Sequence, residues 1–170
     1  MKNSIRFVTG WIIAFIAIPG FAQAGMYQAK EIGEQTAWTQ QQILLCTQKE
    51  TDTRYQELID KEVLFLRIDI KNVEKLVKST TTLNDEQEKA LKNFRNSLLR
   101  CRVLSKQFPL PAMVEAYQNY YQQIDQIYDD LLSRKITIGE ANQKKLKLLD
   151  ETQAKWNEIE DSIRRKSVTQ

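Results

Sequence analysis

The chain has 170 residues, contains no histidine, and carries 25 lysine and arginine residues against 22 aspartate and glutamate residues. Without histidine it lacks the commonest general base and the commonest ligand of zinc or haem, so we expect no metal, no cofactor and no enzymatic activity. Lys2 and Arg6 lie in the first 24 residues, which we expect to be cleaved off. The remaining 23 basic against 22 acidic residues give a net charge of +1, which does not indicate a nucleic-acid partner.

Residues 1–24 have the three parts of a secretory signal peptide. Lys2 and Arg6 form a positive start, and an almost wholly apolar stretch follows up to Ile18. Pro19-Gly20 ends that stretch, and Ala22-Gln23-Ala24 supplies the small residues of a cleavage site. A membrane-spanning helix needs about 20 apolar residues, more than this stretch provides. We therefore expect cleavage at about Ala24–Gly25, a periplasmic protein, and no transmembrane anchor after cleavage.

The predicted mature chain, residues 25–170, reads as a single all-α domain. Its only glycines after Gly25 are Gly33 and Gly139, and its only prolines are Pro109 and Pro111, whereas helix-forming residues dominate. A first helix is predicted over about 27–48 and a second over about 52–79. The second has apolar residues at three- and four-residue steps: Tyr55, Ile59, Val63, Leu66, Ile70, Val73 and Val77.

Residues 63–70 within that second helix are ambiguous, because they are rich in β-branched and aromatic residues and favour a strand on local propensity. No other segment alternates in a comparable way, so a strand here would lack a partner. We therefore predict that this stretch is helical and buried on more than one side.

Three further helices are predicted in the C-terminal half. Asn84 is suited to cap the first of them, which Pro109 and Pro111 end, and Thr137 and Glu140 have the spacing of a capping box for the last. Short connections between the helices predict an up-down antiparallel bundle, preceded by the extra N-terminal helix. The apolar stripes of these helices are Leu91, Phe94, Leu98 and Cys101; Met113, Tyr117, Tyr120, Ile124, Ile127 and Leu131; and Leu146, Leu149, Trp156, Ile159 and Ile163.

Cys46 and Cys101 are the only cysteines, which in an exported protein suggests a disulfide. If one unbroken helix ran from residue 30 to 79, Cys46 would lie on the order of 24 Å beyond the residue opposite Cys101. A disulfide needs Cα atoms within about 7 Å, so the bond and the unbroken helix exclude each other. The polar stretch 47–53 is rich in capping residues, and we predict a break there with the N-terminal helix folded back. Free thiols and a bond between chains are the alternatives.

Four of the six tyrosines, Tyr117, Tyr120, Tyr121 and Tyr128, lie in the third of the four long segments. Tyr117 and Tyr120 fall on its apolar stripe, and Tyr121 and Tyr128 are predicted on the flank of that stripe. Such tyrosines pack at the boundary of a core, but tyrosine is also enriched at protein interfaces. They are therefore the candidate binding residues of the chain.

Acidic residues cluster at Asp125, Asp129 and Asp130, and again at Glu158, Glu160 and Asp161. A pair of carboxylates is the minimum for glycoside hydrolysis. These acids alternate with lysine and arginine on helix surfaces, so we interpret them as solvated faces rather than as an active site.

The stretch Leu131-Leu132-Ser133-Arg134-Lys135-Ile136-Thr137-Ile138-Gly139-Glu140-Ala141-Asn142-Gln143-Lys144 resembles a segment of small exported helical proteins of Gram-negative bacteria, mostly of unassigned function. In those proteins a helix ends, a K-I-T-x-G-E-x-N-like turn follows, and a basic helix begins. The resemblance covers about a tenth of the chain and implies a bacterial periplasm.

Two functional hypotheses follow from these patterns. The first is a non-catalytic periplasmic protein that binds a protein or another envelope component, as an adaptor, inhibitor, chaperone or stress factor. The alternative is a structural protein that associates with itself through a coiled coil, which would use an unbroken helix over residues 27–79.

Overall fold

The computed structural model describes residues 23–66 and 69–168, with side chains described for 29–66 and 69–166. The predicted signal peptide therefore lies almost wholly outside the described residues. The described part of the chain is helical and contains no β-strand. Its helices are α1 (Gln23–Glu50), α2 (Thr53–Leu58), α3 (Ile70–Val77), α4 (Asp85–Cys101), α5 (Pro111–Leu132) and α6 (Ile138–Val168). None of them is both long and apolar enough to cross a membrane.

The predicted break between α1 and α2 is confirmed. Helix α1 ends at Glu50, and the side chain of Asp52 caps α2 by accepting a hydrogen bond from the Arg54 amide at 2.9 Å. The break lets α1 fold back along α4, where Ser97 and Arg100 both contact Glu50 at 3.0 and 2.8 Å. Cys46 and Cys101 then lie at disulfide distance, with their Cα atoms 5.7 Å apart.

The prediction of one helix over residues 52–79 is wrong. After α2 the chain makes a π-helical turn, Ile59–Val63, and Leu64 is then extended at φ −138° and ψ 126°. Residues 67 and 68 lie outside the described part, and Asp69 caps α3 by accepting from the Lys71 amide. The segment 64–66, which local propensity favoured as a strand, is thus not helical; it begins with the extended Leu64, bends at Leu66 and has no strand beside it among the described residues. The self-associating alternative also loses the continuous helix over residues 27–79.

The predicted N-terminal caps of α4 and α6 are confirmed, whereas α4 ends at Cys101, before Pro109. Asn84 accepts from the Gln87 amide at 2.9 Å, and the Gln87 side chain accepts from the Asn84 amide at 3.0 Å, which completes a capping box. Pro111 occupies the first turn of α5, where its missing N–H costs nothing. Glu140 and Thr137 cap α6 reciprocally, as the sequence predicts.

The ion pairs near α4 and α5 show that these two helices run in opposite directions. Arg95 pairs with Asp129, and Arg102, about two turns further on and directly after α4, pairs with Asp125, which lies earlier in α5. The turn between α5 and α6 uses Arg134 at a φ of +56°. These contacts set the directions of neighbouring helices. The up-down arrangement of the whole bundle stays a prediction.

The buried apolar side chains form two clusters. The α1 cluster consists of Ile43, Phe108, Met113, Ala116, Trp156 and Ile159. The central cluster consists of Ile59, Val63, Leu64, Phe65, Leu76, Leu83, Ala90, Leu91, Phe94, Leu98, Ile124, Ile127, Tyr128, Leu131, Ile138, Ala141 and Leu148. Helices α5 and α6 contribute to both clusters, whereas α1 contributes a buried residue only to the α1 cluster.

Candidate functional site

The structure separates the four predicted binding tyrosines. Tyr117, Tyr120 and Tyr121 are partly buried and contact one another, with ring centroids 4.6 Å apart for Tyr117–Tyr121 and 5.1 Å for Tyr120–Tyr121. Tyr128 is 3 % exposed and belongs to the central cluster. The prediction that Tyr128 lies on the flank of α5 is therefore wrong, and its side chain does not reach the surface.

The phenol groups of this cluster are held in their neutral form. Burial raises the pKa of Tyr117 and of Tyr120 well above the ordinary value, and the Tyr117 hydroxyl has no hydrogen-bond partner among the described residues. The guanidinium of Arg102 lies 4.3 Å from the centre of the Tyr121 ring. The ring cluster is thus covered by a cation on one side and is not an open aromatic surface.

The acidic cluster on α5 is paired with basic residues. Asp125 contacts Arg102 and Arg95, Asp129 contacts Arg95, and Asp130 lies 3.5 Å from Lys144. Burial disfavours the ionised form of Asp125, but the hydrogen bonds and charges of Arg102 and Arg95 outweigh it and keep its pKa below the ordinary value. A general acid needs a raised pKa, so this geometry does not favour acid catalysis by Asp125.

A buried polar network lies where α6 meets the non-helical segment 64–66. Asn142, fully buried, donates to the Val63 carbonyl at 2.8 Å and accepts from the Phe65 amide at 3.2 Å. Lys145, 6 % exposed, donates to the Phe65 carbonyl, and its ammonium lies 4.4 Å from the centre of the Phe65 ring. These bonds replace the strand partner that the segment lacks.

Lys145 is a buried cation whose pKa is changed by its surroundings. Burial lowers the pKa of Lys145 to about 8, and the nearby carboxylate of Asp60 opposes that shift. Asp60 is itself buried and accepts from the Leu66 amide at 2.7 Å. The hydrogen bonds of this network hold segment 64–66 against α6, and we assign it a structural role.

Sequence reasoning missed Asn142 and Lys145, although the pattern carries a signal. From Ile138 the steps to Asn142, Lys145 and Leu149 are four, three and four residues, the spacing of one helix face. Two polar residues on an apolar stripe indicate buried polar contacts with another segment. The ambiguous stretch 63–70 was the segment that needed such contacts.

A groove of about 470 Å³ runs between α5 and α6 on the outer surface. Its floor and rim come from 13 residues: Ala112, Glu115, Ala116, Asn119, Tyr120 and Gln123 of α5, and Leu148, Glu151, Thr152, Lys155, Glu158, Ile159 and Ser162 of α6. Of the four tyrosines proposed from the sequence, Tyr120 lines this groove. Two alanines of α5 line it, and polar or charged side chains of both helices lie along it.

The described residues contain no group of three or more side chains placed to hold a metal ion. Comparison of the chain with protein-family models, with curated proteins and with solved structures gave no match. We take the groove between α5 and α6 as the candidate binding site.

Proposed function

We propose that this protein is exported to the periplasm and acts without catalysis, by binding a protein or another envelope component in the groove between α5 and α6. The groove is the observation that supports the proposal most directly. It is long, open and lined by side chains of two helices, as in sites that receive a peptide or a helix. We further propose that the helices around it form an up-down bundle.

Two observations support export. The first 24 residues have the pattern of a cleaved signal peptide, and the cysteines lie at disulfide distance, an arrangement that persists in oxidising compartments. Fractionation of cells that express the protein, with N-terminal sequencing of the recovered chain, tests this part. We expect a periplasmic chain that begins at about Gly25. A chain that retains Met1 and stays in the cytoplasm would contradict it.

Site-specific photo-crosslinking tests the binding role. Gln123 and Thr152 line the groove, so a photoreactive residue at either position lies next to a partner bound there. Asn96 of α4 and Lys71 of α3 are exposed elsewhere on the surface and serve as control positions. We expect discrete crosslinked products from the two groove positions and none from the two control positions. Equal crosslinking from all four positions, or none from the groove, would contradict the proposal.

Self-association stays the alternative, although it no longer has a continuous helix over residues 27–79 to build on. Trp38 and Leu45 are about half exposed and lie seven residues apart on α1, which places them on one face. That face is the surface that an association between copies would use. Sedimentation of the mature protein and of the variant Trp38→Glu/Leu45→Glu distinguishes the two hypotheses, because a monomer in both cases excludes the alternative.

A further inference from the structure

We propose that the partner seated in the α5–α6 groove is an amphipathic helix with basic residues on both flanks of its apolar face. This inference rests on the proposed function, since it names the class of ligand for the same groove. Three features of the groove carry it: the spacing of its floor, its length, and the charge of its rim.

The floor has the periodicity of a surface on which a helix packs. On α5 the floor residues Ala112, Ala116 and Tyr120 follow one another at four-residue steps, and on α6 Leu148 and Thr152 do the same. Such rows form the sides of a channel into which the ridge of a third helix fits. The small side chains of Ala112 and Ala116 allow that helix to approach closely.

The length of the groove sets the length of its occupant. The lining residues of α5 run from 112 to 123, and those of α6 from 148 to 162. At 1.5 Å per residue these walls are about 17 Å and about 21 Å long. A helix of three to four turns, about 14 residues, fills that length.

The rim favours a basic partner. Its charged residues are Glu115, Glu151 and Glu158 against one lysine, Lys155. Lys155 lies 3.0 Å from Glu158, and Glu115 also raises the pKa of Lys155, so this lysine interacts with both walls. Glu151 meets Lys147 at 3.7 Å. Both ion pairs join exposed side chains, and such pairs contribute little. Three acidic residues against one basic residue give the lining a net charge of −2, with acidic residues on both walls.

Charge should contribute more to this recognition than apolar burial. Ala116, Leu148 and Ile159 in the floor are between 4 and 7 % exposed, so the apolar face of a partner would pack mainly on Ala112, which is exposed, and Tyr120, which is partly buried. Interactions with exposed glutamates weaken as salt screens them, over about 10 Å at 0.1 M ionic strength. We therefore expect affinity for the basic helix to fall steeply between 50 mM and 300 mM salt.

A designed peptide provides the test. The probe is a 14-residue peptide of leucine and lysine, with leucines at three- and four-residue steps and lysines flanking them, acetylated and amidated at its ends. The control peptide has glutamate in place of every lysine. Titration of the mature protein, followed by nuclear magnetic resonance of its backbone amides, measures affinity and position together. We expect the lysine peptide to bind at least tenfold more tightly than the glutamate peptide, with the largest shifts at groove residues.

Charge-reversal variants of equal net charge locate the effect. Glu115→Lys/Glu151→Lys changes both walls of the groove, and Glu57→Lys/Glu74→Lys makes the same charge change at exposed sites on α2 and α3. We expect the first variant to bind the lysine peptide about tenfold more weakly and the second to bind like the wild type. Equal weakening in both variants, or shifts away from the groove, would overturn the inference. Photo-crosslinks from Gln123 and Thr152 together with failure of the lysine peptide would overturn this inference alone and leave the proposed function intact.

Discussion

At the scale of single residues, Gly139 determines how closely the start of α6 approaches the end of α3. Its amide donates to the Ser79 carbonyl at 2.9 Å, and the Ile138 amide donates to the Thr81 carbonyl at 2.8 Å. A Cβ at position 139 would lie 2.3 Å from the Ser79 oxygen and 2.7 Å from the Val77 oxygen, both of them backbone atoms. The positive end of one helix thus meets carbonyls at the end of another, at a distance only glycine permits.

Gly139→Ala should therefore destabilise the protein, because backbone atoms must move to admit the methyl group. We expect the free energy of unfolding in urea to fall by about 2–3 kcal/mol. Gly33→Ala is the matched control, since Gly33 lies in the interior of α1, where alanine is the better helix former. The free energy of unfolding of that control should rise by about 0.5–1 kcal/mol. A stable Gly139→Ala variant would show that the two helix ends do not meet as described.

Lys145 makes the free energy of unfolding depend on pH. Its pKa is about 8 in the folded protein and about 10.5 in the unfolded chain. Between these values the unfolded chain binds more protons, so the free energy of unfolding rises with pH. Below pH 8 the group is protonated in both states and the dependence disappears. Tyrosines with raised pKa values act in the opposite direction above about pH 10.

We expect the wild type to gain about 1 kcal/mol per pH unit above pH 8, measured by urea unfolding between pH 7 and 9.5. Lys145→Met should abolish that gain, whatever it does to stability at pH 7. Lys144→Met is the control, because Lys144 is exposed and half of its side chain faces solvent. Parallel pH profiles for all three proteins would mean that Lys145 is not buried.

At the scale of elements, what could be predicted depended on whether the stabilising partners were near in sequence. The caps of α4 and α6 were predicted from the sequence because Asn84–Gln87 and Thr137–Glu140 meet within three residues. The break after α1 was predicted because the two cysteines impose a distance. The non-helical segment 64–66 was not, since its partners Asn142 and Lys145 lie 77 to 80 residues away. The groove depends on how two helices pack, and no local pattern encodes it.

Asn142 tests whether these distant side chains hold the non-helical segment. Asn142→Ala leaves the Phe65 amide and the Val63 carbonyl buried without their partner, and we expect the free energy of unfolding to fall by about 3 kcal/mol. Hydrogen exchange at the Phe65 amide should accelerate more than at amides within α4. Gln143→Ala, which removes an exposed side chain bonded to the Val77 carbonyl, should cost less than about 1 kcal/mol. Unchanged exchange at Phe65 would contradict the assigned role.

At the scale of the whole molecule, the two apolar clusters differ in how they depend on the cysteine pair. Helix α1 reaches the rest of the protein through the α1 cluster and through contacts near Cys46, whereas the central cluster is built from α2 to α6 and the connections between them. Cys101 is 1 % exposed and lies at the end of α4. A covalent bond there constrains α1 against α4 and leaves the internal contacts of the central cluster unchanged.

Mass spectrometry of an unreduced digest should find the peptides of Cys46 and Cys101 joined within one chain. The variant Cys46→Ser/Cys101→Ser should lose about 2–4 kcal/mol of stability. The loss of stability should be larger for α1 than for the central cluster, because regions with fewer long-range contacts open first. We expect faster amide exchange in residues 35–46, with Leu91, Phe94 and Ile124 still protected.

Tryptophan fluorescence gives a second measure of the difference in stability between the α1 cluster and the central cluster. In a chain that begins at Gly25 the tryptophans are Trp38 and Trp156, so Trp38→Phe leaves Trp156 as the single reporter. Trp156 is 7 % exposed in the α1 cluster, with its ring 5.5 Å from that of Phe108. In the serine variant its emission should shift to the red at lower urea than the loss of helix measured by circular dichroism. In the protein with paired cysteines the two transitions should coincide. Two alkylatable thiols in the isolated wild type, or coincident transitions in both proteins, would show that the cysteines do not hold α1 in place.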